Sequence, residues 1–379
     1  MSLPIHLHSG LMGAPLLGAA NGSLNAMLLA CLVNGFNTQA VSSATASGGV
    51  VTFNFATDPG FPAQYTVQIS GASNATVNGN FRVQSAASNQ VLVAIAGVPD
   101  GAVGGTIYLK FAPLGWTRPY SGTGLGAYRQ GGTSAVKRYL RVRDSATNTN
   151  SGYAYWRGYE AMTAISSGTG PFPTTAQVAG DGLMQYGPNN GATQAPWLLV
   201  GTPRTFYLQT SHSYQTVTGD FNTVDPYGNH ISIFGDLDRP FKAGDAYACV
   251  VKANEVAVGS MYLPRRHTGA SGAVLVDARG LSGGNTFGGQ STPYPDPASG
   301  GLALGDSPMF LESDTSTLRG YLPGVLAPWN SPILSLALPP GTVFTNVDGI
   351  TGRALLMGPH SNHASSALVA LLDEDWGDV

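Results

Sequence analysis

The residues of this chain that could do chemistry are concentrated in one basic and aromatic segment. Seven of its eighteen Lys and Arg residues lie between positions 118 and 157, against one acid, Asp144, which gives a local charge of +6. Within it, RYLRVRDSATNTNSGYAYWRGYEAM (138–162) holds four arginines and four tyrosines. Such a segment can contact phosphates while stacking bases, form the hot spot of a protein interface, or be a solvated sheet face.

Strand alternation divides this segment into two strands around a polar loop at 144–152. Tyr139, Arg141 and Arg143 share one face of the first strand, and the return strand carries a similar face, so pairing would give a cross-strand ladder. The net charge of -3 argues against a nucleic-acid binder. We therefore predict a contact between protein subunits. The predicted contact residues are Arg129, Arg138, Arg141, Arg143, Tyr153, Tyr155, Trp156, Arg157 and Tyr159.

Three local pairs of carboxylates are the candidates for acid–base work on a sugar. They are Asp236 with Asp238, Asp220 with Asp225, and Glu312 with Asp314. A glycosidase holds two carboxylates roughly 5–9 Å apart in a cleft, and proximity in the chain does not supply a cleft. The segment FGDLDRP (234–240) is more simply a strand end and a turn that contains proline. We predict that the protein is not an enzyme.

The histidines offer two metal half-sites, and neither is complete. His6 and His8 would share one face of a strand, but Pro and Gly residues surround them. His360 and His363 lie in a turn-like segment without a nearby third ligand. No metal, cofactor or catalytic residue is therefore predicted.

Two motifs and the two cysteines have structural interpretations. Ser307 in LGDSPMF resembles the Gly-Asp-Ser block of one esterase class, but that block lies early in an α/β fold and this one lies late in a β-rich chain. The glycine-rich segment 122–132 opens no helix, so it is not a phosphate loop. Cys31 and Cys249 are predicted to be buried free thiols.

The elements that must position these residues are mostly strands. Only 10% of the 379 residues are charged, and the chain contains 51 Gly and 25 Pro, whereas helix surfaces are normally built from long charged residues. The composition predicts a mainly β fold, with a small β-sandwich or barrel module, a larger β-rich body, one short N-terminal helix and an extended N-terminal arm. A weakly charged surface suits a protein that neighbours largely cover.

Residues 1–43 are predicted to form the arm and a docking helix. Pro and Gly interrupt the first 21 residues, and GSLNAMLLACLVNG (22–35) then places apolar residues on one helical face. Ser23 would cap the helix at its start and Gly35 at its end. A short, uncharged helix needs a surface to pack on. We predict that this surface belongs to a neighbouring subunit, contacted by Leu24, Met27 and Leu28.

The rest of the chain divides into two predicted β units. Residues 44–112 contain five strand-length segments separated by turn residues, which predicts a small Ig-like or barrel-like module. Residues 113–379 are predicted to form the β-rich main body, with a long Gly/Ser/Pro loop at 282–301. The first residues lack the positive charge of a signal peptide, and no apolar run reaches the roughly 20 residues that span a bilayer.

Several segments resemble a family of structural proteins of tailed bacteriophages. They include GAPLLGAANGSLNAMLLACLVNGF (13–36), GWTRPYSGTGLGAYRQ (115–130), PWLLVGTPRTFYLQT (196–210), FGDLDRPFKAGDAYACVV (234–251) and RGYLPGVLAP (319–328). None of them is a catalytic motif, so the resemblance implies a context, a virion, and transfers no site residue. Residues 44–112 interrupt the resemblance and look like a β module inserted into the family body.

The resemblance implies a structural component of a tailed-bacteriophage virion, associated with the tail (baseplate, tail tip or collar) and acting through subunit contacts. Expected partners are other virion proteins and further copies of the chain, without nucleic acid or membrane, after assembly in the host cytoplasm. Two alternatives stay open. One is a capsid decoration or cement protein, and the other is a glycan-binding or depolymerising tail protein that uses Trp156, Trp197 and Trp329.

Overall fold

A computed structural model describes most of the chain, and strands dominate it. The described residues are 3–18, 20–144, 151–189, 195–211, 229–240, 244–253, 261–279, 304–305, 307–327, 341–345, 350, 352–357 and 368–376. The prediction of a mainly β chain with a small β module and a larger β-rich body is confirmed. Asp220, Asp225, Trp329, His360, His363 and the predicted loop 282–301 lie outside the described residues.

The strands are numbered in chain order. The first fourteen are β1 Ile5–His8, β2 Phe36–Ala40, β3 Ser43–Ser47, β4 Val50–Asn54, β5 Thr66–Ala72, β6 Gly79–Ala87, β7 Gln90–Ala94, β8 Gly101–Ala102, β9 Gly105–Phe111, β10 Thr117–Gly122, β11 Leu125–Arg129, β12 Tyr139–Arg143, β13 Ser151–Ala164 and β14 Ser167–Phe172. The others are β15 Leu183–Asn189, β16 Trp197–Gly201, β17 Thr205–Ser211, β18 Asn229–Asp236, β19 Cys249–Lys252, β20 Met261–Leu263, β21 Val274–Arg279, β22 Met309–Glu312, β23 Leu318–Tyr321, β24 Val325–Leu326, β25 Val343–Thr345, β26 Arg353–Met357 and β27 Leu368–Leu371. One α-helix, α1 Ser23–Leu29, precedes a π-helical turn Ala30–Asn34, and Ala75–Val77 form a 3-10 turn.

The predicted β module is an eight-stranded sheet in the order β2-β9-β5-β6-β7-β4-β3-β8. Alternation builds it, since β4 buries Val51 and Phe53 while their neighbours in the strand are partly exposed. Because β2 and β3 follow each other directly in the chain, the sheet curls round on itself. The sheet also takes in β2, which precedes the predicted boundary at residue 44. The division of the chain into domains stays a prediction.

The larger β-rich part contains three sheets. A six-stranded sheet runs β10-β11-β12-β13-β14, with β15 also paired to β13, and a nine-stranded sheet runs β1-β16-β17-β18-β19-β20-β21-β22-β23. A four-stranded sheet, β24-β27-β26-β25, holds the end of the described chain. Trp116 and Trp156 pack on Phe206 with ring centroids 5.4 and 5.8 Å away, which joins the six-stranded sheet to the nine-stranded one.

One backbone bridge curls the nine-stranded sheet into a ring. Asp238, two residues beyond β18, exchanges both backbone hydrogen bonds with Tyr321 at the end of β23, at 2.8 and 2.9 Å. The bridge brings the last strand back to the end of β18, so strands β18 to β23 enclose a common core. Tyr207 joins this core to the four-stranded sheet, because its ring packs 5.5 Å from that of Trp376.

The helix α1 packs inside its own chain, which corrects two predictions. Leu24, Met27 and Leu28 are at most 5% exposed and belong to the main hydrophobic core, so their apolar face is already covered and offers nothing to a neighbouring subunit. Ser23 does not cap the helix, since its hydroxyl donates to Leu16 O and accepts from Gly18 N–H. Gly35 does end the π-helical turn, with a φ of 71°.

The N-terminal arm also docks on its own chain. The predicted interruption of regular structure over the first 21 residues is wrong at β1, which pairs antiparallel with β16 from Ile5 opposite Gly201 to His8 opposite Leu198. Leu17 forms a further bridge with Ala195. Three apolar side chains of the arm stay exposed, namely Leu3, Met12 and Leu16. No helix in the described ranges is long and apolar enough to cross a membrane.

Candidate functional site

The strands β12 and β13 form the predicted ladder of arginines and tyrosines. Their register places Arg141 opposite Arg157, Tyr139 opposite Tyr159 and Arg143 opposite Tyr155. The cross-strand pairing expected from alternation is therefore confirmed. Two arginines directly opposite each other would repel, so the ladder requires other groups to take up the charge.

An aspartate from outside the segment pairs with two arginines of the ladder. Asp181, in the loop between β14 and β15, accepts hydrogen bonds from Arg141 (2.9 Å) and from Arg143. Arg157 is 4% exposed and donates to Thr175 Oγ1 and to Val178 O at 3.1 and 2.9 Å. Burial, helped by the nearby Arg141, lowers the pKa of the Arg157 guanidinium. Asp181 thus compensates part of the positive charge of the ladder, and uncharged acceptors satisfy Arg157.

Stacked rings extend the ladder toward β10. The guanidinium of Arg141 lies 5.6 Å from the centroid of the Tyr159 ring, and that of Arg129 lies 5.7 Å from the Tyr139 ring. Tyr139 stacks in turn on Tyr120, with centroids 6.4 Å apart and planes inclined by 24°. The side chains of Tyr120, Arg129 and Tyr139 are partly exposed, so this end of the ladder is its accessible part.

Much of the predicted contact surface is committed to intramolecular packing. Trp156 is fully buried in the main core, and Tyr159 is 7% exposed. Arg138 is 8% exposed, donates to Ala246 O, and lies 5.5 Å from the Tyr247 ring. These residues, with Arg157, support the fold of this chain directly. A contact with another subunit stays a prediction, carried now by Arg129, Arg141, Arg143 and Tyr155, which are partly exposed. The side chain of Tyr153 lies outside the described part of the structure.

Asp144, at the end of β12, performs the capping that Ser23 does not. Its Oδ2 accepts hydrogen bonds from the backbone N–H groups of Leu24 (2.7 Å) and Asn25 (3.2 Å), 120 and 119 residues away in the chain. Its backbone oxygen accepts from Gly22 N–H at 2.9 Å. Burial raises the pKa of the Asp144 carboxyl, and these N–H donors offset only part of that rise.

Asp236 and Asp238 line one small cleft beside the bridge that closes the ring. Asp236 accepts hydrogen bonds from Arg204 and from Gln130 Nε2 (2.8 Å), and Asp238 pairs with Arg239 at 3.2 Å. The cleft has a volume of about 20 Å³, which is room for about one water molecule. The lining residues are Thr202, Arg204, Thr205, Asp236, Leu237, Asp238, Pro323 and Trp376. A sugar ring does not fit inside it.

Glu312 lies at the centre of a buried ionic cluster in the ring. Its carboxylate accepts from Arg319 Nη1 (2.9 Å) and from the backbone N–H of His267 (2.6 Å), and it contacts His267 Nδ1 at 3.1 Å. Arg319 also pairs with Asp245 at 2.8 Å. Burial alone would raise the pKa of Glu312, but the His267 donors and Arg319 hold it below its usual value. Asp314, its sequence-predicted partner, pairs instead with Arg266.

His6 and His8 both contact Tyr65, which lies just before β5. The His6 ring centroid is 4.3 Å from that of Tyr65, and His8 Nε2 lies 2.9 Å from the Tyr65 hydroxyl. Close by, Asp373 pairs with Arg82 of β6 and with Arg353 of β26. This junction joins β1, the curled sheet and the four-stranded sheet. Among the residues that the structure describes, no group of three or more His, Cys, Asp or Glu is placed to hold a metal ion.

The remaining candidates take structural positions. Cys31 and Cys249 are buried free thiols as predicted, and burial raises the pKa of both. Ser307 lies just before β22, at the start of a strand. The glycine-rich segment 122–132 is the turn between β10 and β11 together with β11 itself, in agreement with the prediction that it opens no helix.

Sequence reasoning missed the acids that complete these clusters. Asp181, Asp245 and Asp373 each bind an arginine 38 to 291 residues away, and nothing in their local sequence marks them. The only signal in the sequence is the small number of acidic residues. A chain with 21 acids that buries arginines must place some of those acids beside them.

Comparison with known proteins assigns no family. No protein-family model matches the chain, and no curated protein matches it. Among solved structures, it was aligned with the phage phi92 endosialidase at 12% sequence identity and a TM-score of 0.17, over 90% of this chain and 71% of that one. A TM-score this low does not indicate a shared fold, so the alignment supports no inference about function.

Proposed function

We propose that this protein is a structural component of a tailed-bacteriophage virion, located in the tail and acting through contacts between subunits. The sequence segments that resemble phage structural proteins support the context. The observation that supports a structural role is a set of ion pairs within the chain. Nine arginines in the described ranges pair with carboxylates of the same chain. In a chain with 18 basic residues, charge then serves mainly to hold distant strands together.

These ion pairs connect parts of the chain that are far apart in sequence. Arg82 and Asp373 are separated by 291 residues, Arg265 and Glu160 by 105, and Arg319 and Asp245 by 74. Cross-links of this kind favour one rigid arrangement of the sheets, which suits a building block that repeats in an assembly. A further copy of the chain and other virion proteins are the proposed partners.

The accessible end of the ladder is the proposed contact surface. Arg129 stacked on Tyr139 presents a guanidinium and aromatic rings, which are enriched at the centres of interfaces. Replacing Arg129 by Ala should weaken assembly and leave the monomer folded. Replacing Arg157 by Ala should destabilise the chain itself, because Arg157 is 4% exposed and holds the loop at 175–178.

Mass spectrometry of purified particles tests the proposal directly, and the absence of this chain from them would refute it. The copy number separates the two virion locations, with hundreds per particle for a capsid decoration protein and a few to dozens for a tail component. Salt-dependent DNA binding by the purified chain would favour the nucleic-acid interpretation of the ladder instead.

A depolymerising activity is the second candidate, because Asp236, Asp238 and Trp376 line the same cleft. The small volume of the cleft and the Arg204 and Gln130 contacts of Asp236 place this candidate behind the structural one. An assay on host polysaccharide decides between them. Cleavage that is lost in both Asp236→Ala and Asp238→Ala would support the enzyme, and no cleavage by the wild type would remove it.

A further inference from the structure

The junction around His6 brings together groups whose charges depend on acidity. His6 lies in β1, is 6% exposed, and faces Tyr65 from the curled sheet. The charged groups that act on it are His8 of its own strand, Arg82 of β6, and Arg353 and Asp373 of the four-stranded sheet. Two guanidinium groups and one carboxylate therefore surround a buried imidazole, and a proton on that imidazole would meet a net positive environment.

The neutral forms of both histidines fit this junction. His8 Nδ1 accepts a hydrogen bond from Gly10 N–H at 3.1 Å, which leaves its Nε2–H to donate to the Tyr65 hydroxyl at 2.9 Å. A proton on His8 Nδ1 would break the bond from Gly10. Burial, followed by the charge of Arg353, lowers the pKa of His6 from 6.5 to about 3.

The junction can open at β1, which is held by backbone pairing with β16 and by the buried side chains of Ile5 and Leu7. Among the described strands β1 lies at the edge of the nine-stranded sheet, paired on one side with β16 through four residue pairs. Arg353 Nη1 donates to Gln64 O at 3.3 Å, and Asp373 binds Arg82, so the curled sheet and the four-stranded sheet stay joined independently of β1. The Asp373 pKa is about 2, because its hydrogen bonds and ion pairs with Arg353 and Arg82 outweigh the effect of burial, so this ion pair persists at pH 5.

We propose that the His6 junction is a pH-sensitive latch, which holds β1 on the edge of the nine-stranded sheet at neutral pH and releases it in mild acid. Release lets His6 take up a proton in water, whereas the closed junction excludes that proton. This inference does not depend on the proposed virion function.

The direction of the effect follows from linkage. The closed state binds fewer protons than the open state between pH 6.5 and about 3, so the closed state is fully favoured above pH 6.5 and loses stability as the pH falls through this range. The open fraction changes little between pH 7 and pH 6.5, and below pH 6.5 it rises about tenfold for each pH unit because only the open state takes up the proton. Between pH 7 and pH 5 it should therefore rise about 20-fold.

Hydrogen–deuterium exchange of the full-length chain, corrected for the pH dependence of intrinsic exchange, measures this opening. We expect the amides of β1 to lose protection about 20-fold between pH 7 and pH 5, while the paired strands β4 and β7 stay protected. Equal protection of β1 at both pH values would overturn the latch. Simultaneous loss in both regions would also overturn it, because that pattern is global acid unfolding.

Neutral variants identify the responsible group. His6→Phe and His6→Gln should both remove the larger part of the pH dependence of β1 protection, and the remainder belongs to His8, whose protonation breaks its bond from Gly10. Circular dichroism at pH 7 checks that each variant is folded. His267→Gln removes a half-exposed histidine far from β1 in the sheet order, and it should leave the pH dependence unchanged. Persistence of the full acid-induced opening in a folded His6 variant would assign it to another group and refute the proposal. If neither variant folds, the exchange of β1 in the wild-type chain at pH 7 and pH 5 still tests the latch.

Discussion

Asp144 and Glu312 are two buried carboxylates in different parts of the fold, and folding shifts their pKa values in opposite directions. Asp144 is 6% exposed, caps α1, and binds backbone N–H groups, and its pKa is raised. Glu312 is fully buried in the ring, faces Arg319 and His267, and its pKa is lowered. Burial raises the pKa of an acid at both sites, and it is outweighed only at Glu312, where the hydrogen bonds from His267 and the charge of Arg319 lower the pKa.

The difference teaches what each carboxylate does for the fold. At Asp144 the negative charge itself is unnecessary, because a neutral acceptor can satisfy the same N–H groups at the helix start. At Glu312 the charge compensates a guanidinium that is 1% exposed. Removing Arg319 leaves two buried carboxylates without their cation, and removing the charge of Glu312 leaves Arg319 with Asp245 alone. Five substitutions, one of them a control, and one pH series test this contrast.

Arg319→Ala should have the largest effect. It leaves Glu312 and Asp245 buried without their cation, and we expect a loss of about 3–5 kcal/mol in the free energy of unfolding. Urea denaturation followed by tryptophan fluorescence measures it. Arg266→Ala is the matched control, since Arg266 and Asp314 are 43% and 49% exposed, and it should cost less than about 1 kcal/mol. Similar losses in the two variants would contradict the role given to burial.

Glu312→Gln should have the next largest effect. The amide keeps the shape of the side chain but removes the charge that faces Arg319, and an N–H group must take the place of one acceptor oxygen. We expect a loss of about 1–3 kcal/mol, measured by the same denaturation experiment. A fully stable Glu312→Gln variant would show that Asp245 alone compensates Arg319.

Asp144 should tolerate the replacement of its carboxylate by an amide. One oxygen of the carboxylate receives both N–H groups, and an Asn oxygen can receive them equally well, so Asp144→Asn should change the free energy of unfolding by less than about 1 kcal/mol. Asp144→Ala should cost about 1–2 kcal/mol, because it removes the cap. If the Asn variant were as unstable as the Ala variant, the charge at this position would matter after all.

The pH dependence of stability should be the smallest effect, and it is the one most specific to the contrast between Asp144 and Glu312. The folded pKa of Glu312 is lowered, so its contribution to stability is present above pH 4.5 and is lost as the pH falls further. The folded pKa of Asp144 is raised, so its ionisation costs stability as the pH rises above 3.8. The stability gap between wild type and Glu312→Gln should therefore shrink below pH 4.5. A gap that stayed constant would contradict the lowered pKa.

Local pattern predicted the strands and failed to predict their distant partners. Alternation predicts the β12–β13 hairpin and the side chains that face each other across it, because the two-residue period of a strand can be recognised in the amino-acid sequence. The capping of α1 was assigned to Ser23, the nearest hydroxyl, whereas Asp144 does it from 120 residues away. Periodicity reports which residues are buried, and it cannot report what buries them. For that reason the sequence predicts that Leu24, Met27 and Leu28 form a packing face, but not that the surface they pack on belongs to the same chain.

The pairing of β1 with β16 has a consequence for the order of folding. Trp197 donates to Ser9, 188 residues earlier in the chain, and the junction at His6 also needs Arg353 and Asp373. Contacts of such high sequence separation form late, because the loop-closure entropy is lost before the contact forms. The strand β1, which precedes its partners in the sequence, is thus completed among the last. Until then, the buried side chains of β16 border an open sheet edge, and this interval is when a nascent chain is most exposed to pairing with the wrong copy.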